Sequence, residues 1–220
     1  MQRKIIVTGD GSSSLLVEKM GETFHSRHGA VQESVYVYIE NGLKKIKKKE
    51  LSILEFGFGT GLNALLTANH ALKHDLKIRY ETVEAYPLTP EEYVLLNYED
   101  FVQATISLKK LHEIPWNTPS PIILNNHFSI LKHQQKIEYF SVSQKFDLIY
   151  FDVFGYDYQP ELWQKEILQK AFDFLIPGGL FVTYACKGVV NRNLQEIGFE
   201  VHKLKGPPGK REMTLAVKNI

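Results

Sequence analysis

The sequence predicts an α/β fold, a mostly parallel sheet flanked by helices, ended by an antiparallel last strand and preceded by a short N-terminal extension. Three observations carry this. Short apolar runs alternate with helical segments from Leu51 to Ile197, the pattern of a parallel sheet with helices on both faces. The first of those runs ends in the glycine turn Gly57-Phe-Gly59-Thr-Gly61. The tail breaks the alternation, with Phe199–Leu204 and Met213–Lys218 meeting across Gly206-Pro-Pro-Gly209.

In chain order, residues 4–8 and 14–17 are apolar runs separated by Gly9-Asp-Gly-Ser-Ser13, which reads as a hairpin. From Val31, the positions Val35, Ile39, Leu43 and Ile46 recur at near-helical spacing and predict a helix, although Val35, Val37 and Ile39 also alternate like a strand. The lysine run at 44–49 reads as a solvated loop. Then follow a strand at Leu51–Glu55, the glycine turn, a helix at Leu62–Leu72, a strand at Lys77–Glu84 and helices from Pro90 to about Ala104. Strands at Pro121–Asn125 and Phe146–Phe151, a helix at Pro160–Leu175, a strand at Gly179–Tyr184 and a helix at Val189–Ile197 complete the alternation. The expected organisation is an extension at 1–48, hairpin and helix, packed on the cofactor edge of a domain at 49–220. An antiparallel last strand on a parallel sheet is the mark of the class I S-adenosylmethionine (SAM)-dependent methyltransferase fold, and separates it from plain dinucleotide-binding domains.

Composition narrows the function. At 220 residues, 44% hydrophobic and 12% aromatic, the chain has the make-up of a folded domain. Its net charge of +1 excludes an overall basic bias, so any nucleic-acid binding must use a local patch. The single cysteine, Cys186, excludes an internal disulfide and a multi-cysteine zinc site, and reads as a small buried residue. His70 and His74 share a helix face without the glutamate or third ligand of a metal motif, so they read as surface histidines and no metal is expected. No apolar run is long enough to span a bilayer, and a cytoplasmic protein with no membrane contact is expected.

The glycine turn opens as Glu55-x-Gly57-x-Gly59-x-Gly61, where the backbone can turn sharply and approach a ligand at the carboxyl edge of the sheet. Glu84, at the end of the next strand, can accept both hydroxyls of a ribose. A dinucleotide's pyrophosphate disfavours a carboxylate at the turn, whereas SAM carries an ammonium and a sulfonium; Glu55 and the G-x-G-x-G spacing therefore favour SAM. The acidic or amide residue that often meets the adenine amine is missing from its usual place, where Lys136 stands in the stretch His127–Ile137.

Beyond the fourth core strand come Asp152, Phe154 and Tyr156, at the sheet end that faces the transferable group in this fold. A carboxylate among aromatic faces suits an amine acceptor, because it can orient N–H groups while the rings stabilise positive charge. An amine of lysine-like basicity must lose a proton first, which near pH 7 takes roughly 4–5 kcal/mol. An ordinary carboxylate is a weak base for that, so Asp152 is expected chiefly to orient the amine and stabilise its developing charge.

Five blocks in order, Phe24–Ser34, Glu55–Asn63, Phe151–Phe154, Pro160–Trp163 and Gly209–Met213, resemble the MnmC-type methyltransferases that act on tRNA wobble uridines. The resemblance implies a standalone methyltransferase without FAD, with SAM as donor, that converts the 5-aminomethyl group of (2-thio)uridine to 5-methylaminomethyl. It implies tRNA as partner and dependence on enzymes that make the aminomethyl intermediate. Carried over, Gly57, Gly59, Gly61 and Glu84 match the SAM site, with Asn63 closing their block, and Asp152 matches the acid beside the reacting amine. Gly155-Tyr156 stand where the family has a small residue and proline. The polar stretch His25–Ser34 would close over the cofactor, Ser26 or Gln32 bonding its methionine end and Arg27 meeting a phosphate or carboxylate. Lys210 and Arg211 are the candidates for tRNA phosphates. The alternative is a methyl- or aminopropyltransferase acting on a small free amine.

Overall fold

Eight strands form the central sheet and three short ones a separate antiparallel sheet, in a computed structural model that describes residues 2–219. Met1 and Ile220, the outer bounds of the two expected units, lie outside the described residues. The small sheet comprises β1 (Arg3–Val7), β2 (Ser13–Val17) and β3 (Glu22–Thr23). At its first turn Asp10 accepts the Ser12 N–H (3.0 Å) on one oxygen and the Gln32 N–H (3.0 Å) on the other. The hairpin tip thereby caps α1 (Ala30–Ser34), whose first N–H groups are otherwise orphaned.

The single helix expected from Val31 to Ile46 is instead three pieces: α1, a π-helical turn at Val35–Glu40 and a 3-10 turn at Leu43–Lys45. The run Val-Tyr-Val-Tyr-Ile is β-branched and aromatic, which favours α-helix least, and the wider turn buries Val37, Tyr38 and Ile39 together. The Asn41 N–H donates back to the Tyr36 carbonyl (3.2 Å), and Gly42 leaves the turn because a side chain there would meet the Tyr38 carbonyl.

The main sheet is built from β4 (Glu50–Phe56), β5 (Lys77–Glu84), β6 (Ile122–Asn125), β7 (Phe128–Gln134), β8 (Phe146–Phe151), β9 (Leu175–Thr183), β10 (Phe199–Lys205) and β11 (Glu212–Lys218). Their spatial order is β10-β11-β9-β8-β4-β5-β7-β6. The central pairs are parallel, and β11 runs antiparallel between β9 and β10, as the tail pattern predicts. Between them lie α2 (Leu62–Lys73), α3 (Pro90–Tyr93), α4 (Leu108–Glu113), α5 (Lys165–Phe174) and α6 (Gly188–Ile197). One core contains Tyr38, Tyr80 and Tyr150 with α2; a second contains Phe56, Phe151, Trp163 and Phe181 with α5 and α6.

Three expectations are corrected. The parallel neighbour of β5 is β7, inside the stretch His127–Ile137 where the adenine-contacting residue is sought, and Ile122–Asn125, expected as the next core strand, is only an antiparallel edge strand beside it. Asn125 bends the chain by accepting the N–H groups of His127 and Phe128 (2.8 and 2.9 Å). Lys132 masks the strand's apolar pattern: it is fully buried, its ammonium donating to the carbonyls of Leu111 and His112 (2.9 Å each) and facing Trp116. The helices expected over 90–104 shrink to α3 and a 3-10 turn at Tyr98–Asp100, while α4 starts where Ser107 accepts the Lys110 N–H. The helix expected at Pro160–Leu175 is a 3-10 turn followed by α5, and Leu175 already opens β9.

Candidate functional site

The carboxyl ends of β4, β5 and β8 meet at the glycine turn. The Gly57 N–H donates to the Val83 carbonyl and the Asp152 N–H to the Phe56 carbonyl (2.9 Å each), which stitches the three strand ends together. Gly57 has φ +91°, and a Cβ there would come closer to the Asp152 carbonyl oxygen than the 3.0 Å that real Cβ atoms essentially never cross. The glycine therefore lets the turn and the Asp152 backbone touch. At Gly59 a Cβ would press on the ring of Phe24 at 3.1 Å.

Glu84 ends β5 with one oxygen accepting the Gly59 N–H (3.0 Å) and the other the Tyr86 N–H (2.8 Å). A carboxylate offers about four acceptor positions, so each oxygen keeps capacity for a ligand. Gly57, Gly59, Glu84, Asp152 and Phe154 all line one cleft. Its far wall includes Lys136, Ile137 and Glu138, and Arg3 enters from β1 with its guanidinium on Glu92 (2.8 Å) and the Tyr86 carbonyl (2.6 Å).

Several expected residues sit elsewhere. Glu55 does not line the cleft: it is fully buried, accepting from Asn63 Nδ2 (3.1 Å) and Thr82 Oγ1 (2.9 Å), and burial with Asp152 nearby pushes its carboxyl well above the usual range. It supports the turn from within the protein and does not reach the cleft, where a ligand's ammonium would need it. Asn63 is buried as well, and its amide bridges Glu55 to Asp152 Oδ2 (2.7 Å). Gly61, φ +76°, opens α2 behind the turn against Phe58 and His112. Ser26 turns inward on its own segment, its N–H donating to Glu33 (2.8 Å) and its Oγ accepting from His28 N–H (3.2 Å). Tyr156 is half-buried outside the cleft lining, under the Lys187 ammonium. Arg27 and Arg211 are exposed, but Lys210 is not a free surface cation: its Nζ lies 2.6 Å from Glu33 and 3.6 Å above the Tyr184 ring.

The polar segment does fold onto the glycine turn. His25 is buried with Nε2 2.7 Å from Thr60 Oγ1, and burial lowers its pKa to about 4. Around Asp152 stand Asn63, the buried hydroxyl of Tyr38 and Tyr184, whose hydroxyl donates to the Val153 carbonyl (2.9 Å). Loss of solvent raises the Asp152 pKa to about 7, against the nearby Tyr38 hydroxyl and the Asn63 hydrogen bond, which pull it down. Tyr38, Tyr184, Glu33 and Arg3 escape sequence reasoning, because each is brought in from a distant segment. The only local signal was the density of polar residues in 24–34. Cys186, expected to be buried, is only half-buried. Among the described residues no cluster of histidine, cysteine or carboxylate side chains could hold a metal ion, and no helix is long and apolar enough to cross a membrane.

Residues 123–219 match the family described as S-adenosyl-L-methionine-dependent methyltransferase. The tRNA 5-methylaminomethyl-2-thiouridine biosynthesis bifunctional protein MnmC of Pseudoalteromonas atlantica is 26% identical over 89% of this chain and 31% of its own. Its namesake in Actinobacillus pleuropneumoniae serotype 5b is 28% identical over 89% of this chain and 32% of its own, so the chain spans about a third of the length of these relatives. Among solved structures, MnmC2 from Aquifex aeolicus superposes with a TM-score of 0.75 at 25% identity, covering 98% of this chain and 70% of that one. A methyltransferase from Pyrococcus furiosus gives 0.50 at 22% identity over 81% and 80% of the two chains, a likeness of fold alone. The fold is that of class I SAM-dependent methyltransferases, and the chain is similar to the MnmC methyltransferases over most of its length.

Proposed function

From a chain with the class I SAM-dependent methyltransferase fold, we propose an enzyme that methylates the primary amine of 5-aminomethyl-(2-thio)uridine at the tRNA wobble position. The observation that carries this reading is Asp152, a desolvated carboxylate at the end of β8 that shares its cleft with the glycine turn, Phe154 and Tyr184. The names of the relatives supply the substrate class.

The donor set fits SAM. Glu84 would hold the ribose hydroxyls, the backbone at Gly57 and Gly59 would pass the methionine portion, and Ile137 with Glu138 would face the base. SAM, when bound, supplies an electrophilic methyl group. The protein's task is to present a neutral amine in line with it. Proton transfer from a lysine-like ammonium to an ordinary carboxylate is uphill by about 9 kcal/mol. With Asp152 at about 7 the gap closes to roughly 4–5 kcal/mol, so Asp152 serves as proton acceptor as well as orienting group. Charge developing on nitrogen would meet the aromatic lining at Phe154, worth about 0.5–2 kcal/mol. Phe154 is held in place edge-on by Phe24, 5.1 Å between ring centroids. Exposed Arg27 and Arg211 are the cations we assign to tRNA phosphates, which position the RNA without reading its sequence. The substrate requires a prior enzyme that installs the aminomethyl group.

The test is methyl transfer from labelled SAM to tRNA carrying 5-aminomethyluridine, beside unmodified tRNA and free amines. Label confined to the aminomethylated tRNA supports the reading. Label on free amines alone replaces it with a small-amine transferase.

A further inference from the structure

The first and last of the distinctive sequence blocks meet at one ion pair between a buried carboxylate and a half-buried ammonium. Glu33 of α1 has a side chain only 7% exposed, with Oε2 accepting the Ser26 N–H (2.8 Å) and Oε1 2.6 Å from Lys210 Nζ. The Lys210 ammonium also lies 3.6 Å above the Tyr184 ring, and the Tyr184 hydroxyl is bonded to the Val153 carbonyl, next in the chain to Asp152. Two further contacts seat the same turn. The His28 ring fills the space a side chain on Gly209 would need, and the Tyr36 hydroxyl donates to the Lys205 carbonyl (3.1 Å).

Resting on the function proposed above, we infer that Lys210 is a positioning residue of the acceptor pocket: clamped between Glu33 and Tyr184, its ammonium sets the charge balance around Asp152 and clips residues 24–34 to the Gly206–Arg211 turn. The groups that act on or feel the Asp152 charge are Tyr38 and Glu33 from the helical segment 30–40, Glu55 from β4, Tyr80 from β5, Tyr98, Tyr184 beyond β9 and Lys210 from the turn, while Asn63 from α2 hydrogen-bonds it. Lys210 is the cation of this set. It favours the ionised Asp152 that accepts a proton, and Glu33 opposes it. The pair thus balances two needs, a carboxyl basic enough to take a proton and one ionised often enough to do so near neutrality.

The test titrates the Asp152 carboxyl carbon by NMR in protein labelled at aspartate, the resonance identified by its loss in Asp152→Asn, alongside the acid limb of the pH–rate profile. Lys210→Met is expected to move the midpoint upward by about half a pH unit or more, because Glu33 then faces Asp152 unopposed. Glu33→Gln is expected to move it downward, and Lys210→Arg to keep it near the parent. Midpoints that stay put, or move the same way in Lys210→Met and Glu33→Gln, overturn the inference. If Lys210→Met fails to fold, the downward shift in Glu33→Gln with retention in Lys210→Arg remains the required result. The carboxyl titration needs no substrate. A wild-type protein that methylates no tRNA would therefore sink the proposed function and leave this assignment to be decided by the titration.

Discussion

Replacing Gly57 by alanine isolates the contact on which the site is built. Its φ of +91° is one that L residues rarely adopt, at about 1–2 kcal/mol, and the added Cβ would meet the Asp152 carbonyl oxygen inside 3.0 Å and its carbonyl carbon at 3.1 Å. Neither neighbour is the free end of a side chain, so the backbone of β8 must yield, at about 1–3 kcal/mol. Together these predict about 3 kcal/mol of destabilisation, or roughly 6–12 °C in melting temperature for a domain of this size. Gly178 is the control, with φ +75° and nothing within 4 Å of its Cβ, so Gly178→Ala bears only the backbone strain, about 1 kcal/mol and roughly 2–4 °C. Calorimetric melts of both variants, with SAM titrated into each, make the comparison. Gly57→Ala should also weaken SAM binding while Gly178→Ala leaves it intact. Equal melting temperatures, with full SAM affinity in Gly57→Ala, would refute the argument that the glycine exists to let the turn touch Asp152.

Asp152→Asn should lower kcat/KM by about 10²- to 10⁴-fold with SAM affinity retained, because it removes the proton acceptor and keeps the shape. The same variant should be more stable than the parent at pH 8.5 and not at pH 3. Folding raises the Asp152 pKa from 3.8 to about 7, so the native state is penalised progressively as the pH rises from about 4 and fully above about 7, by roughly 2–4 kcal/mol, and chemical denaturation at the two pH values reads the difference. Glu84→Gln should weaken SAM binding about 10- to 100-fold by calorimetry, since charge-assisted hydrogen bonds contribute about 1.5–3 kcal/mol each. The His25 ring, held neutral by burial with a pKa of about 4, should show no imidazole titration by NMR between pH 8 and pH 5.5; a midpoint inside that window would contradict the burial of the ring against Thr60.

What could be read from the chain was what is local. The glycine turn, Glu84 and Asp152 each sit at the end of a strand whose apolar run announces it, and the antiparallel tail follows from a turn-forming Gly-Pro-Pro-Gly between two strand-like runs. The residues that were misplaced are those whose partners come from far along the chain. Glu55 stands beside the glycines in sequence, yet β-strand alternation and its bonds to Asn63 and Thr82 turn it into the protein. Lys210 reads as a basic surface residue until the fold brings Glu33 and Tyr184 to it. Tyr38 depends on a π-helical turn that neither helical nor strand periodicity anticipates, and β7 was hidden by one buried lysine that breaks its apolar run.

In the proposed reaction the cleft beside Asp152 delivers a methyl group to an aminomethyl nitrogen on tRNA. The most direct measurement is nucleoside analysis of tRNA bearing 5-aminomethyl-2-thiouridine after incubation with SAM and either the parent protein or Asp152→Asn. The parent should convert 5-aminomethyl-2-thiouridine to the 5-methylaminomethyl nucleoside and the variant little or none of it. Unchanged tRNA under conditions where the parent binds SAM, or equal conversion by the variant, would contradict the proposed reaction.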